Sequence, residues 1–347
     1  MNLNPEPMIS ANNLVRTFKT RRGELRAVDD VSLTIYKGEA VGLVGESGSG
    51  KSTLVRLLMN LVKPSSGEIF FDGLSCKTAP TEFNKQLRLR ASMVFQDCFS
   101  SINPMRSIGS SVEEPLKIQN FGSKADRTRN VAELLESVGL APAMASKRPA
   151  NLSGGQRQRV AIARALALDP AFLILDEPVS SLDVSIQAQV LNLLRTIYQK
   201  KNLTYLFVSH DLGVVRHIAD RVLVMYLGRI VESGPVEEVF ENPQHPYTIS
   251  LLSNVLSING EEEISIQFTG DPPSPVEIPS GCRFSDRCFR SSPQCKEVDP
   301  KLVITHQGKW EEHSAACLFP GQLGTYTHDL SNVTEMFKSN QLRMGNR

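Results

Sequence analysis

Short apolar runs alternate with helically spaced stretches along most of this chain. Leu25-Arg26-Ala27-Val28 and Val31–Ile35 have the spacing of strands, and Thr20–Glu24 is polar, so residues 8–36 predict short strands with a turn. Ala40–Val44 is an unbroken apolar run, as expected of a strand covered on both faces. Ser52–Met59 has helical spacing. Further strands are predicted at Ile69–Phe71 and at Ala91–Phe95. Residues 100–165 change character and become polar and helix-rich, with an amphipathic helix over 127–140 that closes on Gly139. A helix over Val160–Ala167 follows, then the apolar runs Ala171–Leu175 and Leu203–Ser209. The pattern predicts an α/β core with a helical insertion at about 100–165.

The joins between these elements carry the chemistry. Between the strand at 40–44 and the helix at 52–59 lies Gly45-Glu46-Ser47-Gly48-Ser49-Gly50-Lys51-Ser52, followed by Thr53. It fits G-x-x-x-x-G-K-[ST], a loop whose backbone N–H groups cradle phosphates. The glycines let the backbone close on an anion with no Cβ in the way, and the following helix offers its positive end. Lys51 is expected to reach the β- and γ-phosphates, and Ser52 to bind Mg²⁺.

A second turn of this type, Ser153-Gly154-Gly155-Gln156, opens the helix near 160 and offers backbone N–H groups to an anion. The run at 171–175 ends in Asp176 and Glu177. Asp176 stands where a Mg²⁺-directed carboxylate lies beside such a loop, and Glu177 is free to deprotonate a water. His210 ends the run at 203–209, on the rim where open α/β sheets bind ligands. Phe18 is either a face on which adenine stacks or a core residue.

Bulk properties narrow the classes. A net charge of +1 gives no sign of a nucleic-acid surface. No segment approaches 18 consecutive apolar residues, and Met1–Pro7 lacks the pattern of a signal peptide, so a cytoplasmic location is expected.

In order and spacing, these features resemble the nucleotide-binding subunit of an ATP-binding cassette transporter. The P-loop Gly45–Ser52, Gln96 of the Q-loop, the signature Leu152–Gln156, Asp176 with Glu177, Asp183 of the D-loop and the switch histidine His210 carry the resemblance, which covers about residues 8–240. It implies a P-loop NTPase core with an N-terminal antiparallel β subdomain, with the ATPase domain at 1–240 and a C-terminal region at 241–347. It also implies a head-to-tail dimer, in which Ser153–Gln156 serve ATP held by a partner. Ser52, Gln96 and Asp176 would hold Mg²⁺, Glu177 would be the general base, and His210 would contact the γ-phosphate.

Asn242–Thr248 and Gly281–Cys288 resemble the oligopeptide/dipeptide/nickel import subfamily. That resemblance implies two membrane permease subunits docked near Gln96 and 100–104, a second and different ATPase subunit, an extracytoplasmic solute-binding protein, and a peripheral place on the cytoplasmic face of the membrane. Cys98, where proline is common, and Val179, where threonine is usual, depart from the family pattern.

The tail beyond a proline- and acid-rich linker at 259–280 holds Cys282, Cys288, Cys295 and Cys317, with intervals of five, six and twenty-one residues. Four thiolates can hold zinc or an iron–sulfur cluster. The resemblance favours [4Fe–4S]; zinc, or four cysteines with no metal, are the alternatives. His306 and His313 are further candidate ligands, and residues after 321 are expected to fray. Rival functions are a soluble cassette ATPase of translation or DNA repair, and an iron–sulfur protein on a nucleotide fold. The sequence leaves the cargo open among peptides, nickel and other small solutes.

Overall fold

The computed structural model describes residues 6–97, 101–257, 273–307 and 312–321. Strands β1 (Pro7–Thr20) and β2 (Gly23–Tyr36) form one long antiparallel hairpin. Both exceed the short strands expected, because several register shifts let a twisted ribbon run on where the apolar spacing breaks. β3 (Ala40–Val44) is buried throughout and leads through the glycine loop into α1 (Lys51–Leu58). β4 (Ser66–Phe71), β5 (Leu74–Ser75) and α2 (Pro80–Arg90) return the chain to β6 (Ala91–Val94).

The insertion then supplies α3 (Ile108–Ile118), α4 (Lys124–Ser137) and α5 (Gly154–Ala165). α4 begins three residues before the predicted helix, because Ser123 and Asp126 close a capping box that periodicity does not reveal. β7 (Phe172–Asp176), α6 (Val184–Lys201), β8 (Thr204–Ser209), the short α7 (Leu212–Arg216) and β9 (Arg221–Tyr226) complete the parallel core. β10 (Arg229–Pro235), α8 (Val236–Glu241) and α9 (Pro246–Ser257) lead toward α10 (Pro293–Glu297), β11 (Val303–Gln307) and β12 (Glu312–Ala315).

Two sheets organise these elements. One is antiparallel, in the order β2-β1-β4-β5; the other runs β11-β12-β10-β9-β3-β8-β7-β6. Within the second, β9, β3, β8, β7 and β6 are mutually parallel, and β10, β12 and β11 add on antiparallel. The period-two alternation of each central strand divides its apolar side chains between two cores. Phe172 and Ile174 pack with the antiparallel sheet and α1, whereas Leu173 and Leu175 pack with the helical insertion.

The C-terminal residues are tied into this body. β12 pairs with β10, extending the cassette's own sheet. The predicted linker falls mostly outside the described residues, as do Cys98, residue 100 and everything after 321.

Candidate functional site

The glycine loop leaves the carboxyl end of β3, at the centre of the sheet. Gly45 and Gly50 have φ of 155° and 108°. A Cβ on Gly45 would lie 2.1 Å from the Met225 carbonyl oxygen, and one on Gly50 2.2 Å from that of Ala27. Both positions therefore require glycine on two grounds, conformation and the approach of a neighbouring backbone. No side chain caps α1, so its first N–H groups have no side-chain acceptor. Buried Lys51 donates Nζ to the carbonyls of Gly45 (2.6 Å) and Glu46 (2.9 Å). Burial pushes its pKa down, opposed by the charges of Glu177, Asp176 and Glu46.

The carboxyl ends of neighbouring strands bring the other predicted residues to this loop. Asp176 ends β7 with 5% exposure, hydrogen-bonded to the Ser52 side chain. Burial first, then the charge of Glu177, raises its pKa, while Ser52, Lys51 and Arg56 pull it down. Its Oδ1 has no hydrogen-bond partner. A buried, unsatisfied carboxylate oxygen beside a hydroxyl and an anion-binding loop suits a hard divalent cation.

Glu177 follows with φ of 46°, and its N–H is held by the Val208 carbonyl (3.0 Å). A left-handed non-glycine residue is strained, and here the strain falls on the residue whose carboxylate the neighbouring segments meet. Glu177 Oε2 accepts from Gln96 Nε2 at 3.0 Å and lies 3.5 Å from His210 Nδ1. Gln96, Glu177 and His210, from three separate segments, thus meet at one carboxylate. His210 and Gln96 are exposed, which leaves this cluster open to solvent.

Other predicted residues are placed apart from it. Ser153 caps α5 reciprocally with Gln156, and no hydrogen bond or ion pair among the described residues joins Ser153–Gln156 to the glycine loop. Gly155 packs so tightly on α6 that a Cβ would lie 2.6 Å from Ile186 Cγ2. Asp183 is exposed at the start of α6. Buried Val179 contributes to the core, which explains why an apolar residue is tolerated there. Phe18 is half-exposed on the β1–β2 hairpin with the Arg16 guanidinium 4.5 Å over its ring, and it belongs to neither apolar core.

Cys282, Cys288, Cys295 and Cys317 line one small pocket with His245, Phe284 and Arg290. The N–H groups of Arg290 and Phe319 donate to the sulfurs of Cys288 and Cys317, each at 3.4 Å, and the Phe284 backbone does the same for Cys282. Burial pushes the Cys282 and Cys288 thiols up to about 11 and about 12. Among the described residues, no group of three or more His, Cys, Asp or Glu side chains is placed to hold a metal ion. His313 is not among the pocket's residues. It is buried and bound to Glu232 at 2.8 Å.

Sequence reasoning placed Tyr247 and Arg287 in the two subfamily motifs but missed that both contact Glu46 of the glycine loop. No local pattern signals these contacts, since the two residues lie 201 and 241 positions from Glu46.

Comparison with known proteins identifies the family. The ABC transporter family matches residues 28–180, and the oligopeptide/dipeptide transporter C-terminal region matches residues 231–295. A putative peptide import ATP-binding protein of Brucella ovis is 45% identical over 313 residues, spanning 90% of this chain and 98% of that protein. The oligopeptide transport ATP-binding protein AppF of Bacillus subtilis is 48% identical, over 82% of this chain and 88% of its own. Among solved structures, a dimeric ATP-binding cassette in a post-hydrolysis state with ADP and Pi superimposes with a TM-score of 0.60 at 31% identity, covering 66% of this chain and 99% of that one. CbiO1 of Clostridium perfringens superimposes with a TM-score of 0.61 at 27% identity, covering 74% and 96%. With the glycine loop, Asp176, Glu177, Gln96 and His210 gathered at the carboxyl ends of the parallel strands, the chain belongs to the ATP-binding cassette transporter family, in the branch that carries the oligopeptide/dipeptide transporter C-terminal region, and is an ATPase.

Proposed function

We propose that this chain hydrolyses ATP as one of two cassettes that drive a peptide importer. The observation that carries the catalytic reading is the convergence of Gln96 and His210 on Glu177, one residue beyond Asp176, whose Oδ1 has no hydrogen-bond partner. In this reading Gly45–Thr53 hold the phosphates through backbone N–H groups, and Lys51 turns from the loop's own carbonyls to the β/γ-phosphates. Phe18 lies under the adenine. Ser52, Gln96 and Asp176 would hold Mg²⁺, which when bound neutralises developing phosphate charge. Glu177 takes the proton of the attacking water, and His210 orients the γ-phosphate against it.

Ser153–Gln156 and Asp183 serve the second cassette. Their separation from this chain's own glycine loop supports a site completed in trans, as does the dimeric relative. We read the second cassette as a different ATPase subunit. Two permease subunits dock at the groove lined by exposed Leu61, Phe95 and Ile118 between core and helical insertion. Among the described residues no helix is long and apolar enough to cross a membrane, so attachment to the cytoplasmic face falls to those permeases. A solute-binding protein outside the membrane delivers the cargo. The matched C-terminal region and the peptide-import relatives support peptides over nickel or another solute. ATPase domain 1–240 and C-terminal region 241–347 remain the working division.

The preference for a [4Fe–4S] cluster over zinc rests on the family resemblance: the four cysteines share one pocket and three of their sulfurs accept N–H groups, but among the described residues no three side chains are grouped to hold either metal. When bound, the cluster would cross-link the four thiolates and stabilise the C-terminal lobe. Iron and sulfide assay of anaerobically purified protein distinguishes cluster, zinc and neither.

The catalytic reading is tested with Glu177→Gln in the assembled transporter. MgATP binding is expected to persist while turnover falls by about 10²–10⁴-fold. Near-normal hydrolysis would overturn the assignment of the base. Reconstitution of the chain with its co-purifying membrane subunits, followed by labelled di- and oligopeptide uptake, tests the cargo.

A further inference from the structure

The segment between Cys282 and Cys288 belongs to the C-terminal lobe, yet its arginines reach the nucleotide end of the cassette. Arg287 donates Nη1 to Glu46 Oε2 at 2.8 Å and Nη2 to Oε1 at 3.0 Å, a bidentate fork. Glu46 is the second residue of the phosphate loop. Its own N–H donates to the Tyr247 hydroxyl at 2.7 Å. One residue of the loop is therefore gripped at backbone and side chain by the C-terminal lobe. Phe284 stands edge-on to Tyr226 at 5.3 Å and to Tyr247 at 5.5 Å, packing the two grips together. A second connection runs beside the first. Arg283 donates to the Leu227 carbonyl and pairs with Asp29, and the adjacent Gly228 N–H donates to the Ser49 carbonyl at 2.8 Å.

The charges give this arrangement a purpose. A carboxylate within a loop built to receive a polyphosphate repels its ligand, and the repulsion is strong where water is scarce. Arg287, with 5% side-chain exposure, cancels that charge at the point where it would act. A glycine-rich loop also has much conformational freedom to lose on binding, and holding it beforehand lessens that loss.

We propose that the C-terminal lobe positions and neutralises the phosphate loop. Arg287 and Tyr247 act through Glu46, and Arg283 acts through the Leu227–Gly228 turn, so that the loop is held ready for ATP by residues that do not touch the nucleotide. These are positioning residues, and they link the four-cysteine pocket to ATP affinity within one short segment.

The test is a double-mutant cycle read as MgATP affinity of the full chain, with kcat and KM in the assembled transporter. Arg287→Met leaves Glu46 unneutralised, and its MgATP Kd and KM are expected to rise roughly tenfold or more, with kcat less affected. Glu46→Ala is expected to weaken binding less. The double variant is expected to bind more tightly than Arg287→Met alone, because the repulsive charge has gone with its partner. That partial recovery is a signature that a simple loss of folded structure does not produce. Tyr247→Phe removes the acceptor of the Glu46 N–H and is expected to raise Kd while leaving the melting temperature without nucleotide close to wild type. Wild-type affinity in Arg287→Met, or losses that add in the double variant, would overturn the proposal. If Arg287→Met does not fold, the same cycle with Arg287→Gln and Glu46→Gln carries the test: coupling supports the proposal and additivity overturns it.

Discussion

Asp29 shows how one side chain acquires weight through its surroundings. It lies in β2, 5% exposed, and meets three arginines: Arg283 in the tightest pair, Arg229 at 3.4 Å and Arg26 at 3.7 Å. Burial alone would push its carboxyl up, but the Arg283 hydrogen bond and the arginine charges outweigh that and hold the pKa below its ordinary value. A depressed carboxylate contributes stability that is complete above the unfolded pKa of about 3.9 and is lost as pH falls through the folded value. Asp29→Asn is therefore expected to destabilise the chain by about 3 kcal/mol at neutral pH, because Arg283 stays buried without its anion, while Arg229 keeps Asp299. The gap to wild type should narrow below pH of about 4 as the native carboxylate protonates. Denaturant titration at a series of pH values checks both statements. Nothing in the sequence marked Asp29, since its partner Arg283 is 254 positions distant. Asp176, Glu177 and His210 were legible by contrast, because each ends an apolar run and a strand end is a place that local sequence can specify.

At the scale of elements, the phosphate loop was legible for the same reason that it is fragile. Its glycines answer local demands on φ, and those demands appear as residue identity. Gly50 has φ of 108° and faces the Ala27 carbonyl, whereas Gly73 has φ of 79° and open space where a methyl group would stand, with nothing within 4 Å. Gly73→Ala is thus expected to cost about 1–2 kcal/mol for its left-handed backbone alone. Gly50→Ala must also displace β2 or α1, so it should cost more in thermal melts and abolish measurable MgATP binding, which Gly73→Ala should leave intact. Equal behaviour of the two variants would show that the close approach to Ala27 does not matter. The core strands β3, β7 and β8 and the amphipathic α4 were also readable, since each is fully buried or has one clear apolar stripe. The continuous hairpin of β1 and β2 was not, because bulges break the period that a sequence reading follows. β9 and β10 escaped as well. Their role is fixed by neighbours in the sheet rather than by their own termini.

For the whole molecule, the join between cassette and C-terminal lobe was the least legible feature, because the contacts that fasten it lie between residues well apart in sequence. Its centre is Glu232, in β10 and fully buried. Its Oε1 accepts from the Gln244 N–H at 2.7 Å and lies 2.8 Å from His313 Nε2, and its Oε2 accepts from the His245 N–H at 2.8 Å. One carboxylate thus fastens β12 to the cassette sheet and sets the entry to α9, the helix that carries Tyr247. Because its partners are two backbone amides and one ring, no single local substitute can satisfy them. Glu232→Ala strands all three in a dry interior, and a loss of about 3–5 kcal/mol is expected in denaturant titration. Glu232→Gln keeps one acceptor oxygen but presents an amide hydrogen to another donor, so it should lie between Ala and wild type. The loss should not stay local. If Glu232 fastens the lobe that grips Glu46, the Gln variant should also bind MgATP more weakly at temperatures where it remains folded. Hydrogen exchange should then show β12 and α9 opening before the parallel strands β3, β7 and β8. Simultaneous opening of all these elements would mean that lobe and cassette form a single cooperative unit, and that the grip on the phosphate loop is lost only with the fold itself.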